Sequence, residues 1–162
     1  MPDPYRLPRN VLPRRYELEL TPDLAAARFA GRARIDLEVV EPTDIVVLNA
    51  AELEIESCTV NGLAASVSED TDLERLTLRL PTALQSGPAT MEIAFRGIHN
   101  DRLRGWYRST YTDDAGREQV IAASQMQATD CRRAFPCWDE PDFKAVFAVT
   151  LVVDDGLLAI SN

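Results

Sequence analysis

The strongest constraint on the fold is an alternation of apolar and polar residues that recurs along most of the chain. Tyr16, Leu18 and Leu20 are separated by Glu17 and Glu19; Ala33, Ile35, Leu37 and Val39 by Arg34, Asp36 and Glu38; Leu76, Leu78 and Leu80 by Thr77 and Arg79. Met91, Ile93 and Phe95 make a further inward set. A period of two puts alternate side chains on opposite faces of a strand. Through Phe95 no sustained period near 3.6 competes with it. The fold class is therefore all-β, and strands at this spacing point to a β-sandwich or a curved, open antiparallel sheet.

Turn chemistry divides the pattern into strands. Asn61-Gly62 is the strongest two-residue hairpin signal, with a return strand expected over residues 63–67. Thr21-Pro22-Asp23 is expected to stop the first strand, and Pro81 to end the strand before it, with residues 81–88 a loop. Glu41-Pro42-Thr43-Asp44 is a turn by composition, and residues 113–116 close a later hairpin. Pro2, Pro4, Pro8 and Pro13 exclude a helix or a central strand from residues 1–13. That arm is expected to run extended over the surface, attached through Tyr5, Leu7, Val11 and Leu12.

Composition narrows the class of partner. The net charge of −9 argues against nucleic acid or an anionic membrane as the main partner. No Lys or Arg occurs between Arg34 and Arg75, where Asp36, Glu38, Glu41, Asp44, Glu52, Glu54, Glu56, Glu69, Asp70 and Asp72 fall. That run reads as a solvated sheet face or as an electrostatic guide for a cationic ligand or domain. Arg102, Arg104 and Arg108 beside Trp106 and Tyr107 form a basic, aromatic patch, open to nucleic-acid contact or to plain stacking. His99, beside Asn100-Asp101, reads as a turn residue, with a catalytic base as the alternative. The three cysteines, Cys58, Cys131 and Cys137, make an odd count that suits a reducing compartment. The first residues carry no apolar run of a signal peptide and no segment reaches the length of a membrane span, so a cytoplasmic location is expected. No zinc site is expected within this chain: Cys131 and Cys137 are not spaced as CxxC, and His99 is the one histidine.

One block breaks the alternation. Residues 125–141, QMQATDCRRAFPCWDEP, crowd amides, acids, arginines, cysteines and a tryptophan into a run without glycine. Pro136 and Pro141 fix its backbone, and it reads as a rigid platform presenting Gln125 and Gln127. If the preceding strand continues through Gln127, the two amides share one face and Met126 takes the other. An amide offers donor and acceptor without a charge to desolvate, which suits ligand contact; a polar outer face or capping of neighbouring backbone is the alternative. Thr129 or Asp130 can cap a short helical turn over residues 131–135, while Trp138 and Phe143 can wedge the loop against the sheet. Asp139 and Glu140 lie close enough in sequence to pair with Arg132 and Arg133. Residues 144–153 form a strand of high β propensity that anchors the platform from the far side.

The segment SQMQATDCRRAFPCWDEPDFKAVFAVTL closely resembles the signature of the N-terminal domain of zinc aminopeptidases of the aminopeptidase N and puromycin-sensitive type. LPRNVLPRRYELELTPDL, FAGRARIDLEVVEPT and LRGWYRSTY are similar to the family's other N-terminal landmarks, and the resemblance runs from Tyr5 to Asn162. It implies a saddle-shaped β domain over residues 1–162, incomplete at its C-terminal end, that closes over a zinc-bearing catalytic domain of the same polypeptide. The partners it implies are that domain and a peptide N-terminus. The family's pocket-lining glutamine falls on Gln125, and the residue that binds the substrate's α-amine, usually glutamate, falls on Gln127. An amide accepts from an ammonium but brings no opposite charge, so the anchor is weaker by about one to a few kcal/mol in a site shielded from water. A family member with both epoxide hydrolase and aminopeptidase activities carries glutamine at this place.

The family's HExxH and GxMEN motifs do not occur in the sequence. HExxH sets two histidines on one metal while its glutamate polarises the bound water. The resemblance therefore implies a substrate-binding domain, inactive alone, with no cofactor of its own and zinc in the parent enzyme. There, a zinc-activated water would attack the first peptide bond while Gln125 and Gln127 hold the N-terminal residue. A non-catalytic scaffold of the same fold is the alternative, and an independent β-sandwich module for carbohydrate or protein ligands a third reading.

Overall fold

The computed structural model describes residues 6–161. Eleven strands are found among them, with no α-helix, as the alternation requires. The largest sheet is built on β1 (Val11–Asp23), β2 (Arg28–Val39) and β8 (Gly87–Ile98). It is completed by β4 (Leu53–Val60) and β5 (Leu63–Ala64) on one side and β11 (Val146–Leu151) on the other, in the order β11-β1-β2-β8-β4-β5. A three-stranded sheet has the order β3-β7-β6, with β3 at Thr43–Asn49, β6 at Ser66–Asp70 and β7 at Arg75–Leu84. The strands β9 (Gly105–Thr112) and β10 (Glu118–Gln125) form a separate two-stranded ribbon. All pairings are antiparallel except that of β11, which runs parallel to β1 from Arg15↔Val146 to Leu20↔Leu151.

The inward sets named from the sequence meet in one core. Tyr16, Leu18, Ile35, Leu37, Met91, Ile93 and Phe95 of the large sheet are buried in the same cluster as Val46, Leu48, Leu76 and Leu78 of the three-stranded sheet. A fully buried side chain of this size contributes about 1.5–3 kcal/mol, before ordering costs are counted. The charged alternates lie on the wet face, where Arg34 reaches Glu17, Asp36 and Glu92 at 3.4–3.9 Å.

The boundaries differ from the turn signals where tertiary context removes the need for a backbone donor. Pro13 lies inside β1, opposite Leu37, although the arm through it reads as non-strand. The parallel partner begins only at Arg15, and a bulge separates Pro13 from Arg15, so the missing N–H is not needed. Leu7 and Val11 are buried as expected of attachment points; Tyr5 lies outside the described residues. The first strand continues through Pro22 to Asp23. Pro81 does not end its strand either: β7 runs to Leu84, with a register shift that pairs Thr43 with Leu84 and Ile45 with Arg79. The Asn61-Gly62 hairpin forms, with Val60 opposite Leu63. Its return strand splits after Ala64, so that β5 stays in the large sheet and β6 crosses to the smaller one.

Candidate substrate-contact platform

The platform is positioned by the ribbon and by a 3-10 turn. β10 ends at Gln125, opposite Gly105. Met126 and Gln127 therefore lie beyond the strand, which corrects the expectation that the strand carries through them. The alternation of burial nevertheless holds: Gln125 and Gln127 are exposed, while Met126 packs against the core. The Gln127-Ala128 peptide is cis, and the Gln125 amide nitrogen lies 3.5 Å from the Gln127 carbonyl oxygen.

The 3-10 turn, Cys131–Arg133, follows directly. Its expected side-chain cap does not form. Asp130 instead accepts a hydrogen bond of 2.9 Å from Arg133 Nε, because the guanidinium competes successfully for the carboxylate. The backbone tightens the turn: Asp130 N–H donates to Met126, Arg133 to Asp130 and Ala134 to Cys131, at 2.9–3.1 Å. Beyond it, Cys137 and Asn49 exchange backbone hydrogen bonds of 2.8 and 3.0 Å, stitching the platform to β3. Trp138 is buried as the expected wedge, and its backbone N–H donates to the Tyr16 hydroxyl at 3.2 Å. Burial pushes the Tyr16 phenol well above its usual range.

The two arginines find more partners than adjacency suggests. Arg132 Nε donates to Asp139 Oδ2 at 2.9 Å, as expected, but its Nη1 also donates to Glu74 at 3.2 Å. Arg133 holds Asp130, Glu52 at 2.7 Å and Glu74. Desolvation pulls its basicity down, and Asp130, Glu52 and Glu74 outweigh that and raise it. Glu140, expected in this set, instead accepts from the Leu7 backbone N–H and from Arg6 at 3.1 Å. Part of the acidic run is thus spent on the platform. Glu52, Glu54, Glu69, Asp70 and Glu74 also line a cavity of about 620 Å³ bordered by Arg133. The sequence reading missed Glu74: it is the last residue of the four-residue turn between β6 and β7, with no periodicity to mark it, and only the tertiary fold brings it to the arginines.

The other sequence candidates resolve as structure. Trp106 is buried beside Phe29, with ring centroids 4.9 Å apart. Arg104 lies 3.6 Å from Glu52. His99 is no exposed turn residue: it is 5% exposed, tilted against Phe29 and edge-on to Trp106 at 4.7 Å. Desolvation lowers its pKa to about 4, with Asp23 opposing and Arg108 reinforcing the shift. This lone histidine, packed between two aromatic rings, does not fit the two-histidine helical zinc motif that the resemblance implies for the parent enzyme. Among the described residues no helix is long and apolar enough to cross a membrane.

Comparison with known proteins agrees with this architecture. The model of the peptidase M1 N-terminal domain matches residues 12–162. Aminopeptidase M1-D of Oryza sativa subsp. japonica is 46% identical over 160 residues, covering 97% of this chain and 18% of the relative. Alanine/arginine aminopeptidase of Saccharomyces cerevisiae is 42% identical over 162 residues, covering 96% and 19%. Puromycin-sensitive aminopeptidase of Caenorhabditis elegans is 39% identical over 163 residues, covering 97% and 17%. The chain thus spans less than a fifth of the length of these relatives. A family match over residues 12–162, on an all-β fold that carries the RRAFPCWDEP block, establishes that the chain belongs to the peptidase M1 N-terminal domain family.

Proposed function

We propose that residues 1–162 form the N-terminal substrate-binding domain of a zinc aminopeptidase, with the catalytic domain elsewhere in the same polypeptide. Gln125 lines the pocket for the first side chain of a peptide, and Gln127 accepts from its free α-amine. The observation that carries this reading is the exposure of both amides, side by side, at the edge of a block whose following residues, Ala134, Phe135, Cys137 and Trp138, are buried. Amides on a fixed backbone can meet a ligand at the cost of ordering their side chains alone. Sequence identity to proteins named as aminopeptidases supports the substrate class.

This chain's part is to bind and orient. Gln127 offers a carbonyl oxygen to an ammonium, and its amide nitrogen remains available to a second acceptor. Zinc, when present in the parent enzyme, supplies an activated water; the chain's own residues do not build the family's ligand set, and its reaction is not routed through them.

The test is hydrolysis of aminoacyl-anilides, with added zinc, by the 162-residue chain and by the polypeptide extended along its natural reading frame. Turnover is expected from the extended protein alone. Activity in the short chain would contradict a binding role without catalysis. An extended protein that lacks HExxH and is inert would replace the enzyme reading with the scaffold.

A further inference from the structure

Within the platform, three groups of metal-ligating type converge. The thiol sulfurs of Cys131 and Cys137 and a carboxylate oxygen of Asp139 all lie within 4.8 Å of one another. Cys131 and Cys137 are close in sequence, but the sequence reading counted too few cysteine and histidine ligands, and the third group is a carboxylate two residues past Cys137. We propose that Cys131, Cys137 and Asp139 bind a thiophilic divalent cation of the zinc class.

Each ligand is already held in place. Cys131 opens the 3-10 turn and its carbonyl accepts from Ala134 and Phe135 at 2.9 and 3.2 Å. Cys137 is fixed by its two backbone hydrogen bonds to Asn49. Asp139 is oriented from two directions: its backbone N–H donates to Asn49 Oδ1 at 3.2 Å, and Arg132 holds its Oδ2 at 2.9 Å. Carboxylates that ligate a metal are themselves hydrogen-bonded, and such a partner fixes the ligand's orientation. A rigid first shell supported by such contacts is what a metal site needs.

The donor set selects the ion. Two sulfurs and one oxygen favour a borderline-soft cation such as zinc over magnesium or calcium, which take oxygen ligands. On binding, the thiols release their protons to solvent. The resulting thiolates and the Asp139 carboxylate then face a divalent ion and the Arg132 guanidinium, which Glu74 shares. Cys131 is only partly buried, so an ion can reach it from solvent. The bound ion would tie the 3-10 turn to the Asn49 bridge, and so brace the base on which Gln125 and Gln127 stand. This inference does not depend on the substrate reading.

The test uses the reduced 162-residue chain titrated with cobalt(II), which reports sulfur ligation through a charge-transfer band in the near ultraviolet. One equivalent should produce the band and zinc should abolish it. Cys131→Ala should lose it and Asp139→Asn should weaken it, while Cys58→Ala should keep it, with folding of each variant checked by circular dichroism. Zinc should also protect Cys131 from alkylation by iodoacetamide. The proposal is overturned by absence of the band, by a band that survives Cys131→Ala or follows Cys58, or by a Cys131–Cys137 disulfide that forms in place of metal binding.

Discussion

The role proposed for Gln127, as acceptor for a peptide's free amine, has a measurable consequence. A carboxylate at the same exposed position would add a charge-assisted hydrogen bond to an ammonium, worth about 1.5–3 kcal/mol. In an enzyme containing this domain, Gln127→Glu is expected to raise kcat/KM for free-amine substrates about 10- to 100-fold, and Gln127→Ala to lower it. If neither variant moves kcat/KM, the amine is held elsewhere. His99 makes a separate statement about stability. Its pKa falls from 6.5 to about 4 because burial between Phe29 and Trp106 disfavours the charged ring. Between those values the unfolded chain binds a proton that the native chain refuses, so this contribution to stability is complete above pH 6.5 and is lost as the pH falls toward 4. From pH 7 to pH 5 the loss from this residue is up to about 2 kcal/mol. Urea midpoints at the two pH values should therefore fall further in the native chain than in His99→Phe. Equal falls would mean that His99 accepts its proton without cost. The exposure of the two amides was legible in the sequence because they keep the alternation on either side of Met126. The burial of His99 was not, because Asn100-Asp101 beside it signals a turn whatever the imidazole touches.

At the scale of elements, the decisive contact is between the ribbon and the 3-10 turn. Gly105 begins β9 directly opposite Gln125, with φ at +65°. A Cβ there would lie 2.7 Å from the Arg133 Cβ and 3.2 Å from the Asp130 carbonyl oxygen. Gly116, in the hairpin at the other end of the ribbon, has φ at +78° with open space around it. Alanine at Gly116 is expected to cost about 1 kcal/mol for the backbone alone. Alanine at Gly105 adds the collision and should cost about 2–4 kcal/mol. Denaturant titration of both variants checks this, and equal costs would show that the ribbon gives way without resistance. Turn signals located the hairpins at Asn61-Gly62 and at residues 113–116 correctly, since two or four residues suffice to define them. Proline signals overreached at Pro13 and Pro81. Whether a missing N–H matters depends on a neighbouring strand that the local sequence does not contain.

Across the whole molecule, the first and last strands meet, and that meeting leaves one edge open. β11 pairs with β1 on one side and with no strand on the other among the described residues. Phe147 stacks on Tyr16 at 4.7 Å yet is 52% exposed, and Val149 is 40% exposed. An apolar edge with free backbone donors and acceptors invites pairing between chains, and a lysine there opposes it. Val149→Lys is expected to reduce self-association of the 162-residue chain, measured by light scattering at increasing concentration. Unchanged association would place the contact on another surface. The sequence by itself determined the all-β class, the faces of the long strands, the two hairpins and the family, because alternation, turns and a contiguous motif are all set within a few neighbouring residues. Only the tertiary structure decided that Arg133 is held by Glu52 and Glu74, 81 and 59 residues away in the chain. It also decided that β6 leaves the sheet of β5, that His99 is buried, and that Asp139 joins two cysteines. These depend on which strands pair and in what register, a choice made by burying the whole core at once and not by any single segment.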